Sequence, residues 1–445
     1  MGMHRFKIGI AVAVLGAITV TGCTISPPQP PKPAQTTTET TRPTAPQSHA
    51  SFDPPSSFDL TNAVHLKPVD GVTQGTLDGR MFYTVDYTGT IWGVDVSTAD
   101  PVLNAWFPGY DTGGGNPWAC YQLVTDQSRV YTIGANYDED PGIPVAVRLV
   151  AVDKADSTVL WDYTPQTSTL PDKTECATAN VQYAITVTDA GLLLTMQQLA
   201  DGAWTPTSVM LDPETGDVVW SVNASVSATS GAAFGIAVTQ VPESGGAQHQ
   251  VSPVNLATGA IGAPLVASPD DLPLIATGFT LAGQDGGNLV VVVAQTAPAA
   301  GTTASDTSIL QVAGGTGALV PGSIVKADGA DLNACRLAQA GALVCTSLSD
   351  ATQAIGVSLT DGKTLWQRSI AGPSPEPSLP LLFDGYLYGV DETGTSFVLD
   401  TATGQVAGSG QYPLPIAVND SGIVFSVPDA TTISGHRCLW APASA

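Results

Sequence analysis

Leu211-Asp212-Pro213-Glu214-Thr215-Gly216-Asp217-Val218-Val219-Trp220 is the stretch that decides the fold. An apolar residue and an Asp end one strand. Pro213 to Gly216 makes a tight turn in which Gly216 is free to take positive φ. A second strand starts at Asp217 and carries Trp220. The same design recurs. Asp153 leads through Ser157 to Trp161, and Ser358 leads through Gly362 to Trp366. In all three copies the Trp follows the Asp or Ser by eight positions. Asn255 to Gly259, Ala313 to Gly317 and Asp400 to Gly404 keep the turn without the Trp, and Asp95 to Trp106 reads as a longer version. The seven copies start 42 to 59 residues apart. A unit of this size in series indicates a repeat architecture.

A second signal precedes most copies. Asp78-Gly79 lies before Met81-Phe82-Tyr83, Asp189-Ala190-Gly191 before Leu192-Leu193-Leu194, and Asp285-Gly286-Gly287 before Leu289 to Val293. Asp384-Gly385 and Asp420-Ser421-Gly422 introduce two more apolar runs. Asp-Gly between apolar runs marks a hairpin. Each unit therefore reads as a four-stranded antiparallel sheet, and the series as an all-β propeller. Units are expected at 79–107, 118–163, 180–222, 231–266, 274–322, 333–368 and 378–410. The tail at 414–443 lacks a final strand, and a strand near 60–68 is spare. Pairing the two completes an eighth blade and closes the ring, which removes exposed sheet edges. Seven blades is the alternative, if the unit at 274–322 merges with a neighbour.

The Asp-x-x-Thr-Gly-x-x-x-Trp turn resembles the tryptophan-docking turn of the pyrroloquinoline-quinone-like propellers. That superfamily includes quinoprotein alcohol dehydrogenases and the lipoprotein B of the outer-membrane barrel-assembly machinery. The resemblance spans roughly residues 60 to 440. It implies that Trp161, Trp220 and Trp366 pack on the neighbouring blade, against turns built on Gly216, Gly362 and Gly404, and it extends the role to Trp106. Quinoprotein dehydrogenases also hold their quinone over a disulfide between adjacent cysteines. No Cys-Cys pair and no Cys-x-x-Cys-His occurs here, so no catalytic residue and no cofactor is carried over.

The 445-residue chain is 43% hydrophobic with a formal charge of −24. Nucleic acid is not an expected partner, because no basic surface is present to neutralise phosphates. Residues 1–23 read as a lipoprotein signal peptide: Arg5 and Lys7, then apolar Ile8 to Val20, then Val20-Thr21-Gly22-Cys23. Lipid on the Cys23 thiol would tether an exported protein to the outer face of the cell membrane. Residues 24–58 form a Pro/Thr-rich linker, running from Pro27 and Pro28 to Pro54-Pro55. At about 3.1 Å per residue it spans up to ~100 Å. Residues 59–445 are then a single propeller domain.

Five cysteines follow Cys23, as suits an oxidising compartment. Cys335 and Cys345 bracket a hairpin and are disulfide candidates. Cys120 and Cys176 occupy similar places in successive units and form a second candidate pair. Cys438 is left over, buried and reduced. Spacing alone leaves the connectivity open. No zinc-type His spacing occurs, and the acidic Asn136-to-Gly142 stretch reads as a solvated turn. No Gly-x-Ser-x-Gly nucleophile elbow is present, and the turn aspartates read as caps for backbone N–H groups. The expected function is a lipid-anchored, non-enzymatic platform for envelope proteins. A solute- or glycan-binding lipoprotein using the central funnel is the alternative, and a dehydrogenase the least favoured. Long insertions at Phe107 to Trp118, Pro165 to Thr178 and Ala294 to Asp306 are the candidate contact regions.

Overall fold

The computed structural model describes residues 55–443 except 71, 73, 87, 107–117, 138–143, 166–180, 201–202, 241–248, 266–274, 277, 297–304, 328–331, 339–340, 348–351, 371–380, 392, 411–414 and 430–435. The signal segment with Cys23, residues 24–54, Cys176 and the Cys120 side chain lie outside the described residues.

Eight four-stranded antiparallel sheets make up the molecule. Blade 1 spans 76–106, blade 2 118–163, blade 3 181–222 and blade 4 225–276. Blade 5 spans 278–326, blade 6 332–369 and blade 7 381–410. Blade 8 takes three strands from 415–442 and its fourth from Val64–His65. There Val64 pairs with Trp440 and His65 with Leu439, so the spare N-terminal strand closes the ring.

The apolar runs are continuous because both faces of a blade are buried. Leu192 and Leu194 pack into the interface with blade 2, while Leu193 packs into the interface with blade 4. In blade 5, Leu289, Val291 and Val293 face blade 4, and Val290 and Val292 face blade 6. An apolar cluster of this kind lies at every junction between neighbouring blades. The first strands of successive blades approach one another around the axis. The fourth strands lie outermost, leaving Val102 56% and Val219 50% exposed.

Three sequence expectations need correction. Blades 4 and 5 extend past 266 and 322. Isolated bridges at Val254–Ile261 and Val312–Leu319 precede their short fourth strands at Ile275–Ala276 and Val325–Lys326. The linker does not run to 58, because Tyr388 Oη donates to the Pro55 carbonyl at 2.9 Å and the Phe58 ring lies 6.1 Å from that of Tyr388. Trp106 does not dock. The turn after Asp95 has ordinary length, with Ala99 at φ 60 supplying its left-handed residue. The docking position opposite Gly93 is Leu103, and Trp106 is 50% exposed.

Candidate functional site

Antiparallel strands send the connections to two ends of the disc. The turns from first to second strand and from third to fourth strand lie at one end, here the turn end. The turns from second to third strand and the blade-to-blade crossings lie at the other, the loop end.

At the turn end the polar atoms are consumed in joining blades. Trp161 Nε1 donates to the Pro213 carbonyl at 3.1 Å, Trp220 Nε1 to the Leu256 carbonyl at 2.7 Å, and Trp366 Nε1 to the Thr401 carbonyl at 2.7 Å. Each indole thus lies on the turn of the next blade, under Gly216, Gly259 and Gly404 respectively. A Cβ at Gly216 would lie 2.7 Å from the Trp161 ring. Where Trp is missing, something else fills the slot. Phe234 and Pro253 lie under Gly317, and the Lys326 backbone lies under Gly362. The blade 7 position holds Gly408, against which the backbone of Ser56 packs. The N-terminal segment therefore occupies the space an indole takes elsewhere.

The turn-end aspartates cap backbone groups and bridge blades. Asp212 accepts from the amides of Glu214 and Thr215, and Asp189 accepts from the Gly231 amide of blade 4. Lys154 Nζ reaches Asp78 of blade 1 at 2.6 Å, and Arg129 pairs with Glu214 of blade 3. Asn419 Nδ2 donates to the Gly79 carbonyl across the ring closure at 2.7 Å. Burial opposes ionisation of Asp126, but hydrogen bonds from Tyr131, Ser128 and Arg129 outweigh it and lower its pKa. These carboxylates are structural.

The loop end is built differently. The crossing after Trp106, the crossing after Pro165 and the connection after Thr296 all leave strand ends at this end. All three long insertions of the sequence therefore attach to one end of the disc, and their interiors lie outside the described residues. Two tight turns interrupt the pattern, Asp86-Tyr87-Thr88-Gly89-Thr90 in blade 1 and Asp391-Glu392-Thr393-Gly394-Thr395 in blade 7. Asp86 Oδ1 accepts from the Thr88 and Thr90 amides, and its Oδ2 from Trp92 Nε1. Asp391 repeats the two amide contacts, and the Thr393 hydroxyl bond lowers its pKa. This pair went unread in the sequence, although the matching Asp-x-Thr-Gly-Thr would have revealed it.

Two cavities lie near the axis. One of about 470 Å³ is lined by Leu337, Ala338, Leu382, Phe383 and the turn-end residues Asp384 and Asp420. Another of about 190 Å³ lies beside Gln74, Gly75 and Tyr121. Burial pushes the Tyr121 phenol up to about 12, so it stays protonated at neutral pH. The Cys438 thiol is free and buried, and burial with the nearby Asp70 carboxylate raises its pKa. A protonated, enclosed thiol is a poor nucleophile. Among the described residues no group of three or more His, Cys, Asp or Glu is placed to hold a metal ion. Cys335 and Cys345 are joined by a disulfide across the inner hairpin of blade 6, with Cα atoms 4.0 Å apart. His65 contacts Asp70 at 2.9 Å, and Asp70 also accepts from the Cys438 amide at 3.0 Å. That clasp holds the closing strand.

Neither a family model nor a curated protein matches the chain. Solved structures do. BamB from Moraxella catarrhalis matches at 12% identity and TM-score 0.47, over 87% of this chain and 99% of that one. Quinohemoprotein alcohol dehydrogenase from Comamonas testosteroni matches at 10% identity and TM-score 0.51, over 86% of this chain and 76% of that one. The C-terminal WD40 domain of Sif2 matches at 10% identity and TM-score 0.51, over 84% and 97%. At these identities the likeness shows the fold alone, an eight-bladed β-propeller.

Proposed function

We propose that this protein is a lipid-anchored, exported propeller that serves as a non-enzymatic platform for envelope proteins, and that partners dock on its loop end. The observation that carries the reading is the gathering of all three long insertions at that end, opposite an end whose polar groups join the blades. Binding residues concentrate on loops held by a rigid scaffold. The insertion at 107–118 brings Phe107, Tyr110 and Trp118, the residue types that anchor interfaces. The tether rests on the run from Arg5 to Cys23.

The test is affinity capture from crosslinked cells with three forms: the native chain, Cys23→Ala, and a chain in which 107–117 is replaced by a short Gly/Ser turn. The platform reading expects a defined set of envelope proteins with the native chain. Those proteins should be lost with the loop replacement and reduced with Cys23→Ala. The same set captured by the loop replacement would remove the loop end from the proposal. No specific capture by the native chain would remove the platform itself.

A further inference from the structure

Between blades 1 and 2 an ammonium group fills the space between the turn-end hairpins. Lys154, one residue past the third strand of blade 2, reaches back to Asp78 of blade 1 at 2.6 Å. Its Nζ also donates to the Asp126 carbonyl and lies over the Tyr83 ring at 4.9 Å. The Lys154 amide donates to the Ser128 carbonyl, in the first hairpin turn of its own blade.

Blade 8 repeats this backbone arrangement without the lysine. The Ala443 amide donates to the Ser421 carbonyl, again in the first hairpin turn. In each blade the preceding residue pairs with the first residue of the second strand, Asp153 with Arg129 and Pro442 with Gly422. Ala443 therefore stands where blade 2 has Lys154, and its methyl group brings no charge toward blade 7.

The groups that such a cation meets are present. The cavity of about 470 Å³ is lined by Leu337 and Ala338 of blade 6, by the blade 7 hairpin from Leu382 to Gly385, and by Asp420 of blade 8. Asp384 and Asp420 bring two carboxylates to it, and no lining residue is basic. The hairpin aspartates of blades 1 to 3 are occupied, Asp78 by Lys154, Asp126 by Arg129 and Asp189 by the Gly231 amide. Rigid turns hold the two at the cavity. Phe383 pairs with Tyr386 across a two-residue turn with Asp384 at φ 45 and Gly385 at φ 83, the positive pair of a type I′ hairpin. Asn419 pairs with Gly422, and its Oδ1 accepts from the Ser421 amide and hydroxyl.

The walls are apolar. Leu382 packs at the junction of blades 6 and 7 and Phe383 at that of blades 7 and 8, and both are only half-buried. An apolar cavity of roughly 300–1,000 Å³ with a few convergent polar groups is the usual form of a small-ligand site. A methylene chain suits these walls and a cationic head suits the carboxylates, as in a lysine laid along apolar surface.

We propose that the turn-end cavity between blades 6, 7 and 8 binds an alkylammonium group from outside the chain, which takes the part that Lys154 plays between blades 1 and 2. A free diamine and the lysine side chain of another protein carry this same group. The site is independent of the docking end proposed above.

Titration of the full-length protein at low salt, with cadaverine and with Nα-acetyl-lysine-N-methylamide in separate arms, tests this. Methyl-labelled leucine gives the readout. The expected result is saturable movement of the Leu382 methyl resonances in at least one arm. A response to cadaverine alone names a free amine, and a response to the lysine derivative names a side chain. Pentan-1-ol, of the same chain length without the charge, should produce no saturable movement. Asp384→Asn with Asp420→Asn should weaken binding at least about 10-fold, and Asn suits both turns. Ala443→Lys supplies the ammonium from within and should weaken both probes, a second variant that leaves the hairpins intact. Asp285→Asn, at a blade 5 hairpin carboxylate outside the cavity, should bind as the native protein does. The proposal is overturned by no saturable movement in either arm, by undiminished binding in the double Asn variant or in Ala443→Lys, or by an equal loss in Asp285→Asn. Binding of pentan-1-ol as tight as that of the amines overturns it as well.

Discussion

The two ends of the disc are made of the same strands and solve different problems. At the turn end, short connections place an Asp, a left-handed residue and often an indole where the next blade can use them, and the polar groups join neighbouring blades. At the loop end the crossings between blades vary, from the two residues between Val222 and Ser225 to the stretch between Trp106 and Trp118. The docked indoles and the bridging aspartates lie at one end, and the freedom to vary at the other. Substitutions should therefore divide by end: stability at the first, recognition at the second.

The largest effect is expected at the turn end. Trp220→Ala removes an 8%-exposed indole and its bond to Leu256, and should cost about 3–5 kcal/mol by denaturant unfolding. A loss below about 1 kcal/mol would mean that blades 3 and 4 are held elsewhere. Removing the Cys335–Cys345 disulfide by a double Ala substitution opens a loop of sequence separation 10 and should cost about 2–3 kcal/mol. That penalty should disappear when native and variant are compared under reducing conditions.

Gly259→Ala brings a Cβ to 2.8 Å from the Trp220 ring at φ +71, for an expected loss of about 1–3 kcal/mol. Gly322→Ala is the matched control, with φ +73 and nothing within 4 Å. Its loss should stay near 1 kcal/mol. Equal losses for the two would show that backbone strain dominates and docking adds nothing. Trp106→Ala, at a half-exposed indole beside the loop end, should stay within about 0.5 kcal/mol.

Acid should separate the two ends. His249 starts a blade 4 strand at the loop end, and burial lowers its pKa from 6.5. The folded state thus favours the neutral ring. Its contribution is complete above pH 6.5 and declines as pH falls below that value. Asp126 at the turn end has a pKa lowered from 3.8, so its contribution persists above that value and is lost only in stronger acid. The thermal midpoint should fall in two steps, and His249→Gln should remove the upper one. A single step near pH 4 in both proteins would reject the assignment.

The repeat turn made the blades legible, because Asp-x-x-Thr-Gly-x-x-x-Trp joins local turn chemistry to a contact on the next blade. The closing strand was legible by counting: a final unit one strand short and an initial strand too many. Trp106 has the residue type of a docking position without its spacing; eight residues past Asp95 stands Leu103. Pro55 to Phe58 were assigned to the linker because composition describes the chain and not its neighbours, and here the neighbours are Tyr388 and Gly408. The distribution of insertions between the two ends could have been read from strand order alone, since alternate connections of an antiparallel meander return to the same end.

The ring closure has a consequence for how the chain matures. Val64–His65 is made before the seven sheets that span 76–410, and its partner His436–Pro442 after them. A chain that stops before 415 holds seven formed sheets and an N-terminal strand with nothing to pair with. Its two open sheet edges are the feature that invites aggregation or proteolysis. Closure thus acts as an inspection: only a chain made through His436–Pro442 can hide both edges.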